Sequence, residues 1–330
     1  MSIHNLKIFA KNKFTNIINI RKISLRIRGA AVESYIVRTD LAVEAKECIN
    51  MPEHSLNGVR IQESYNEEMD VKTTTVVIES KNAEKKLGKP MGHYITLEAP
   101  GLVEPDEDYH REISLEIAKH LLSIIEKPDE EKSVLVVGLG NRDVTADSLG
   151  PCVVDHLFIT RHIILEYGKA AYEKHKMHMV SGIVPGVMAK TGMETAEIVK
   201  GIVEKTAPDL LIVVDALAAR STKRLNRTVQ ITDTGIWPGS GVGNHRNALT
   251  EESLGIPVIA IGVPTVVDAA TIVNDAVTLT KEGKINGMSE LNSMYVTGKD
   301  IDSIVSRLSY TISEAINIAL DMENETTKEA

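Results

Sequence analysis

Cysteine is scarce in this sequence: only Cys48 and Cys152 occur among its 330 residues, and they are far apart along the chain. Neither belongs to a CxxC motif or to a mixed cysteine and histidine spacing. This excludes a disulfide framework and a zinc ribbon, and it favours a reducing compartment such as the cytoplasm. An HExxH motif is also missing, so we expect no metal and no other cofactor.

Long apolar runs and aromatic side chains are scarce as well. Aromatic residues make up 4% of the chain, and the longest apolar runs are strand-sized, well below the roughly 18 residues of a membrane span. Hydrophobic residues nevertheless make up 43% of the sequence, which is enough for the core of a large domain. We therefore expect a soluble globular protein without a membrane partner.

Acidic residues are absent from the first 29 positions, which carry seven lysine and arginine side chains. The formal net charge of the whole chain is -9, so the part that follows this basic head is more acidic still. Because phosphate binding needs clustered basic side chains, the acidic body argues against direct contact with nucleic acid. The head is either a transit-like presequence or an upstream extension without structure of its own, and we prefer the second interpretation.

Short β-branched runs alternate with helical periods from Val134 onward. Buried strands are predicted over 133–141, 209–220, 227–233 and 256–269, and helices over 146–166 and 193–208. The alternation is typical of the α/β class. Crossovers between successive strands predict a mostly parallel open sheet with helices on both faces.

The segment before this sheet follows a different pattern. Its strand-like runs GVRIQESYN and TTTVVIES, with an amphipathic helix over 111–127, predict a smaller antiparallel N-terminal layer at about 55–130. A second amphipathic helix is predicted over 303–322, and a disordered tail over 323–330. No repeat or linker divides the chain, so we expect a single α/β domain.

Acidic side chains follow two of the strongest predicted strands. Asp215 ends LLIVVD, and Asp143 and Asp147 lie in the loop after VLVVGLGN. Reactive groups collect at the carboxyl ends of strands in an open α/β sheet. Two carboxyl groups that approach each other cannot both ionise cheaply, so one keeps its proton and the pair can act as general acid and general base toward a water. The alternative is that each acid only caps a helix.

The glycine turn after the first of these strands resembles a phosphate-binding loop only in part. Gly138 and Gly140 fit the start of GxGxxG, but the third glycine is missing and Asp143 stands where a pyrophosphate would bind. GxxxxGK[ST] and GxSxG motifs are absent. We therefore expect Gly140, Asn141 and Asp143 to support the acids.

Further candidates for substrate contacts lie in glycine-rich segments. His93 belongs to GKPMGHY, and Gly241, Gly243 and His245 belong to TGIWPGSGVGNHRN. So many glycines predict a backbone that takes positive φ or approaches another chain closely, as a substrate-facing loop does, although an ordinary connection is the alternative. Asp268, at the end of a predicted strand, is assigned to the same supporting group.

Several longer stretches resemble a known family. SYIVRTDLAVEA, GKPMGHYITLEAPGL, VVGLGNRDVTADSLGP, PDLLIVVDALAARS and LGIPVIAIGVPTVVDA are similar to the germination proteases of Bacillus and Clostridium relatives, and the resemblance runs from Tyr35 to about Val305. It implies an endopeptidase of the spore core that begins the degradation of small acid-soluble spore proteins during germination. It also implies a homotetramer whose contact with DNA is indirect, through a substrate that coats it.

The family is similar in sheet architecture to the hydrogenase maturation endopeptidases, whose turn has the form GNxLxxDExxG. Matching that turn to this sequence implies that Asp147, three residues before Gly150, is the functional acid and that Asp143 is its neighbour. Asp215 then corresponds to the second acid. The resemblance therefore implies that Asp147 and Asp215 are the catalytic pair of an atypical aspartic peptidase.

The family is made as an inactive zymogen that trims its own N-terminus. Its cuts favour an acid before the bond, and a hydrophobic residue and alanine after it. Asp40, Leu41 and Ala42 supply this order here. The resemblance implies self-cleavage between Asp40 and Leu41, with a propeptide of residues 1–40 and a peptidase domain of residues 41–322, although family propeptides are typically much shorter.

Two alternatives remain open. VVGLGN also opens the chain of peptidyl-tRNA hydrolases, but the TRHN-type segment that follows it there and a basic tRNA-binding face are missing. The second alternative is an α/β binding protein without catalytic activity, whose acids only cap helices.

Overall fold

The computed structural model describes residues 39–47, 57–172, 176–238, 247–273, 291 and 294–322. Asp40 and Leu41 are among them. Three of the predicted supporting residues, Gly241, Gly243 and His245, lie outside the described residues. The predicted propeptide up to residue 38 and the predicted tail over 323–330 also lie outside them.

Nine strands form one sheet in the described part of the chain. They are β1 (Val59–Asn66), β2 (Val71–Ile78), β3 (Gly92–Glu98), β4 (Ser133–Gly138), β5 (Met179–Ile183), β6 (Leu210–Ala219), β7 (Thr228–Thr232), β8 (Val258–Asp268) and β9 (Tyr295–Val296). Their order across the sheet is β1-β2-β3-β7-β8-β6-β4-β5, and β9 pairs with β8.

The α-helices vary from single turns to long amphipathic segments. They are α1 (Ala42–Glu47), α2 (Lys81–Leu87), α3 (Glu107–Ile124), α4 (Leu149–Asp155), α5 (Arg161–Tyr167), α6 (Met188–Thr191), α7 (Thr195–Thr206), α8 (Glu251–Leu254) and α9 (Ile301–Ala319). None of the described helices combines the length and the apolar character that crossing a membrane requires.

The prediction of a mostly parallel sheet is wrong. The pairs β4–β5, β4–β6 and β6–β8 are parallel, and the other five pairs of described strands are antiparallel. The difference arises at β7, because the chain leaves β6 at Ala219 and enters β7 at Thr228 through a turn without a helix. So short a connection cannot return across the sheet, and β7 therefore starts at the same edge and runs the opposite way.

The predicted antiparallel layer is not separate from the main sheet. β1, β2 and β3 are antiparallel as expected, but β3 hydrogen-bonds to β7 and extends the sheet. The apolar side chains explain this arrangement. Ile95 and Leu97 of β3 belong to the same buried cluster as Val229 and Ile231 of β7, so separating the strands would expose that surface to water.

Helices cover both faces of the sheet, as predicted. On one face α3 and α9 pack against each other, and Ile113, Ile117 and Leu121 of α3 are fully buried at the four-residue spacing of one helix side. On the other face Val199 and Val203 of α7 pack over the opposite side of the same strands. The central strands are therefore buried on both faces, which accounts for their continuous apolar runs.

Three central strands bring the predicted acids to one region. β4, β6 and β8 are parallel neighbours, so their carboxyl ends meet at one edge of the sheet. Asp215 of β6 lies directly opposite Gly262 of β8, and Gly262 lies opposite Gln230 of β7. The turn that contains Asp147 follows β4. Gln230 is therefore two strands from Asp215 in the same row.

Candidate active site

Glycine residues press the turn after β4 against β6. The Leu139 amide donates to the Val214 carbonyl at 2.8 Å, and a Cβ at Gly150 would lie 2.5 Å from the same oxygen. Gly140 has a φ of +118°, and a Cβ there would lie 1.9 Å from the Asp147 carbonyl oxygen. Glycine is therefore required for close approach at Gly150, and for both conformation and space at Gly140.

The backbone around Asp147 is fixed from two sides. Asp147 ends a single 3-10 turn, Thr145–Asp147, and its carbonyl accepts a hydrogen bond from the Asn141 amide at 2.9 Å. The neighbouring Ala146 carbonyl accepts one from the Thr265 hydroxyl of β8 at 2.5 Å. The turn also contacts β6. Asp147 is thus held at the ends of β4, β6 and β8.

Asp215 is a buried acid within β6, with 7% of its surface exposed. The Ala216 amide donates to its Oδ1 at 2.9 Å. On β8, Gly262 has no side chain, and the Leu217 side chain fills the space, 2.4 Å from where a Cβ would lie. The carboxyl group is therefore removed from most of the solvent.

The structure brings Asp147 and Asp215 to the same edge of the sheet. The carbonyl of Val214, the residue before Asp215, accepts a hydrogen bond from the Leu139 amide. Leu139 begins the turn after β4 that continues to Asp147. Within the described ranges, no group of three or more histidine, cysteine, aspartate or glutamate side chains is arranged to hold a metal ion. Two acids on elements in direct contact are suited to acid–base chemistry on a bound water.

Asp143 lies in a different environment from Asp147. Its side chain is 67% exposed and forms an ion pair with Lys190. Its amide donates to Asn141 Oδ1 at 3.1 Å, a contact that stabilises turns. Asp143 and Asn141 therefore support the turn from its solvent side.

The structure does not bring His93 together with the two aspartates. His93 lies near the start of β3, where its amide donates to Asp233 Oδ1 at 2.8 Å and its Nδ1 lies 2.7 Å from Asp233 Oδ2. The row of Asp215 crosses β8 and β7 and reaches β3 at Thr96, three residues beyond His93. His93 is therefore separated from Asp215 both along and across the strands.

Asp268 ends β8 and is buried. Its Oδ1 accepts a hydrogen bond from the Thr271 amide at 3.0 Å, at the start of the helical residues 269–273. This is the capping geometry that the sequence leaves open for strand-end acids. Asp268 thus begins the segment after β8, at the same edge as Asp215 but beyond it.

The predicted cleavage segment lies beside the end of β6. The Asp40 amide donates to the Ala218 carbonyl at 3.0 Å, and the Ala218 amide donates to Asp40 Oδ2 at 2.9 Å. Leu41 is fully buried in an apolar cluster that includes Leu217. The Asp40–Leu41 bond therefore lies next to the strand that carries Asp215.

Two residues that the sequence analysis missed contact this bond. The Asp40 carbonyl oxygen accepts hydrogen bonds from Lys89 Nζ at 2.7 Å and Gln230 Nε2 at 3.3 Å, and Gln230 Oε1 accepts one from the Ala42 amide at 2.7 Å. Burial lowers the pKa of Lys89, while the carboxylates of Asp40 and Glu44 act in the opposite direction. The sequence offers one clue to Gln230, because it is an amide side chain in a strand whose other side chains are apolar or carry a hydroxyl group. The sequence around Lys89 offers no comparable clue.

Glu44 ties the same segment to the residues after β6. Its buried carboxylate accepts hydrogen bonds from the Arg220 and Ser221 amides at 2.7 and 2.9 Å. Arg224 lies 3.5 Å from Glu44 and 2.7 Å from Glu47. Burial alone would lower the pKa of Arg224, but its hydrogen bonds to carboxylates outweigh burial and raise it. Arg224 therefore stays charged and completes an ion-pair cluster at this site.

Comparison with known proteins bears on the whole region. Residues 35–291 match the family model described as germination protease. A germination protease of Caldanaerobacter subterraneus is 43% identical over 311 residues, covering 86% of this chain and 94% of the relative. One from Clostridium perfringens is 43% identical over 314 residues, covering 87% and 95%, and one from Bacillus cytotoxicus is 45% identical over 236 residues, covering 70% and 63%.

The matched range includes the predicted cleavage segment and both predicted catalytic acids, Asp147 and Asp215. A match of this extent to a peptidase family decides against the peptidyl-tRNA hydrolase alternative. This chain belongs to the germination protease family, whose members are peptidases of spore germination.

Proposed function

We propose that this chain is an endopeptidase of the atypical aspartic type, made as a zymogen that cuts itself between Asp40 and Leu41. The observation that carries the proposal is the position of that bond in the uncut chain. Asp40 forms two hydrogen bonds with Ala218 on the strand that contains Asp215, and the turn with Asp147 contacts the same strand. These contacts support the choice of this bond and of these two acids.

Asp147 and Asp215 would divide the acid and base roles between them. With one carboxyl group protonated and the other ionised, the ionised group takes a proton from a water as that water attacks the Asp40 carbonyl carbon. The protonated group supplies a proton to the leaving Leu41 nitrogen. Because the two groups share a proton, they titrate as a coupled pair.

The surroundings of the segment suit the residue order acid, hydrophobic, alanine. The Asp40 carboxylate accepts a hydrogen bond from the Ala218 amide, and Leu41 is fully buried. Ala42 is 2% exposed and packs in a cluster with Val76 and Tyr94, so a larger side chain would meet the core. A protein substrate bound in the same way would be selected for the same order.

The remaining proposals extend the family resemblance to partners and place. We propose small acid-soluble spore proteins as substrates in the spore core, a homotetramer, and a mature peptidase of residues 41–322. Contact with DNA would be indirect, since a formal net charge of -9 opposes phosphate binding. The relation to hydrogenase maturation endopeptidases rests on the turn VVGLGNRDVTADSLGP.

Digestion of a small acid-soluble spore protein tests the substrate assignment. The wild-type chain that has lost its N-terminal segment is incubated with the substrate, and the fragments are identified by mass spectrometry. We expect cuts after an acidic residue and before a hydrophobic one. Asp302→Asn, which changes an exposed acid in the first turn of α9, should cut the same bonds at the same rate. An intact substrate, or cuts at unrelated bonds, would contradict the assignment.

A further inference from the structure

The carbonyl oxygen of the Asp40–Leu41 bond receives two side-chain hydrogen bonds in the uncut chain. Lys89 Nζ donates at 2.7 Å and Gln230 Nε2 at 3.3 Å. We propose that Lys89 and Gln230 form the subsite that polarises the carbonyl group of the bond being cut, first in the chain itself and then in protein substrates. This inference rests on the proposed cleavage between Asp40 and Leu41, and it assigns catalytic roles to residues other than the aspartates.

The Gln230 amide recognises backbone atoms on both sides of the bond. Nε2 donates to the Asp40 carbonyl, and Oε1 accepts from the Ala42 amide at 2.7 Å. A neighbouring strand would bind the same two groups of an extended chain in the same way. Every peptide substrate offers this carbonyl and this amide, so the contact does not depend on the substrate's side chains.

The backbone on either side of Lys89 is fixed by hydrogen bonds. Gly88 ends α2 in the left-handed region, with a φ of 66°, and its amide donates to the Glu84 carbonyl at 2.8 Å. The Pro90 carbonyl accepts a hydrogen bond from the Tyr94 hydroxyl at 2.9 Å. With both neighbours fixed, the backbone at Lys89 is held, and its ammonium group already contacts the Asp40 carbonyl in the uncut chain. A donor that is in place before the reaction needs little reorganisation during it.

Gln230 also lies on the same side of the sheet as Asp215. The two residues share a row with Gly262 between them, and residues opposite each other on neighbouring strands point to the same face. Strands lie about 4.8 Å apart, so the two backbone positions are about 10 Å apart. An aspartate side chain, a water and the peptide group together span such a distance. The Asp40–Leu41 bond thus lies between Asp215 on β6 and Gln230 on β7, with β8 between the two strands.

The chemical step explains why donors are needed at this oxygen. As the water oxygen bonds to the Asp40 carbonyl carbon, the π electrons of the carbonyl move onto its oxygen, where Lys89 and Gln230 stabilise the charge. The proton of the water goes to the ionised aspartate. The carbonyl then re-forms, the carbon–nitrogen bond to Leu41 breaks, and the protonated aspartate gives its proton to that nitrogen. Atoms and charge balance without any further reactant.

Self-cleavage of the full-length chain gives the first test. Intact-mass spectrometry follows the loss of residues 1–40 in the wild type, Lys89→Met, Lys89→Arg and Gln230→Glu. Lys89→Met should cut about 100-fold more slowly, since losing one such donor typically costs that much or more. Lys89→Arg keeps a cationic donor and should recover part of the rate. Gln230→Glu keeps the acceptor for the Ala42 amide but loses the donor, and we expect a loss of about tenfold.

Lys85→Met is the matched control, because Lys85 is an exposed lysine in the last turn of α2. It should cut at the wild-type rate. If the wild type cuts at another bond, the proposed function itself is wrong at that site. If the wild type cuts between Asp40 and Leu41, and Lys89→Met and Gln230→Glu cut as fast as Lys85→Met, this inference is wrong while the proposed function stands.

A second test separates polarisation from mere anchoring of the segment. Each variant is processed by tagged wild-type enzyme, freed of it, and given a peptide with the sequence of residues 36–45. Polarisation predicts a lower kcat with KM within a few-fold of the wild type, because the donors act most strongly in the transition state. A raised KM with an unchanged kcat would overturn the proposal. Thermal unfolding of each variant identifies any that fails to fold. If one variant does not fold, the kinetics of the other variants test the proposal.

Discussion

Asp40 and Ala218 are joined by two hydrogen bonds, one from the Asp40 amide to the Ala218 carbonyl and one from the Ala218 amide to the Asp40 carboxylate. At the same place the register between β6 and β8 shifts, between Leu217 and Ala218. A β-bulge of this kind locally disrupts the ladder. The acid before the predicted cleavage site therefore binds the backbone of β6 where the pairing of β6 with β8 is irregular, just beyond Asp215.

Asp40→Ala should slow self-cleavage. The substitution removes the acceptor of the Ala218 amide, and a hydrogen bond to a charged group contributes about 1.5–3 kcal/mol, so we expect a rate loss of roughly 10- to 100-fold. Asp40→Asn keeps an acceptor oxygen and should lose less. Intact-mass spectrometry over time measures both rates. Equal rates for Asp40→Ala and the wild type would show that the Asp40 side chain is not recognised.

Gly140→Ala should damage the turn that holds Asp147. A methyl group there would meet the Asp147 carbonyl oxygen at 1.9 Å, at a φ of +118° that side chains rarely adopt. We expect a loss of about 1–3 kcal/mol in the free energy of unfolding, together with loss of self-cleavage. Chemical denaturation and mass spectrometry measure the two effects.

Gly201→Ala is the control for that substitution. Gly201 lies inside α7, and nothing is within 4 Å of the position of its Cβ. Alanine is favoured over glycine in a helix interior by roughly 0.5–1 kcal/mol, so the expected change has the opposite sign. A Gly140→Ala protein as stable and as active as Gly201→Ala would contradict the close packing of the turn.

The buried acids show what the sequence can and cannot reveal. The strands that contain Asp215 and precede Asp147 are predictable, because strands buried on both faces produce continuous apolar runs. The direction of β7 depends on the connection between Ala219 and Thr228, and a local pattern that identifies a strand says nothing about its direction. His93 was predicted from its glycine-rich segment to contact the substrate, and the strand order separates it from the two acids.

The subsite around Asp40 was not predictable for a different reason. Lys89 is 49 residues from Asp40 in the sequence and Gln230 is 190 residues from it, so their contacts leave no local spacing. The resemblance identified the Asp40–Leu41 bond through the residues that flank it. It could not identify the side chains that the fold places against that bond.

Glu44→Gln should loosen the segment that carries the cleavage site. The Glu44 carboxylate is buried, accepts the Arg220 and Ser221 amides, and approaches Arg224. The substitution removes a negative charge that balances the positive charge of Arg224. It also places the glutamine NH₂ group, a donor, against the Arg220 and Ser221 amides, which are donors as well. We therefore expect a loss of about 2–3 kcal/mol in the free energy of unfolding. Urea denaturation measures it. Glu47→Gln, at the more exposed partner of Arg224, should cost less, and the reverse order would contradict the account.

The stability of the folded chain should fall as the pH drops from about 7 to 5.5. Burial lowers the pKa of His178, whose Nδ1 accepts the Lys132 amide at 3.0 Å, so the folded protein keeps this ring neutral. In the unfolded chain the ring takes up a proton near a pH of about 6.5. Below that pH the unfolded state therefore binds more protons than the folded state, so the folded protein loses stability on acidification.

His178→Gln should make this pH dependence shallower without abolishing it, because burial also lowers the pKa of His110. His162→Gln, at an exposed position of α5, should leave the slope unchanged. Urea midpoints measured at a series of pH values provide the comparison. A slope that is the same in His178→Gln and His162→Gln would show that His178 is not responsible.

The most direct test of the central claim is intact-mass spectrometry of the full-length chain before and after incubation under activating conditions. Wild type, Asp147→Asn, Asp215→Asn and Asp143→Asn are compared. We expect wild type and Asp143→Asn to lose residues 1–40, since Asp143 is exposed and paired with Lys190. We expect Asp147→Asn and Asp215→Asn to stay intact. If Asp147→Asn or Asp215→Asn is trimmed as fast as the wild type, the aspartate pair does not cut this bond.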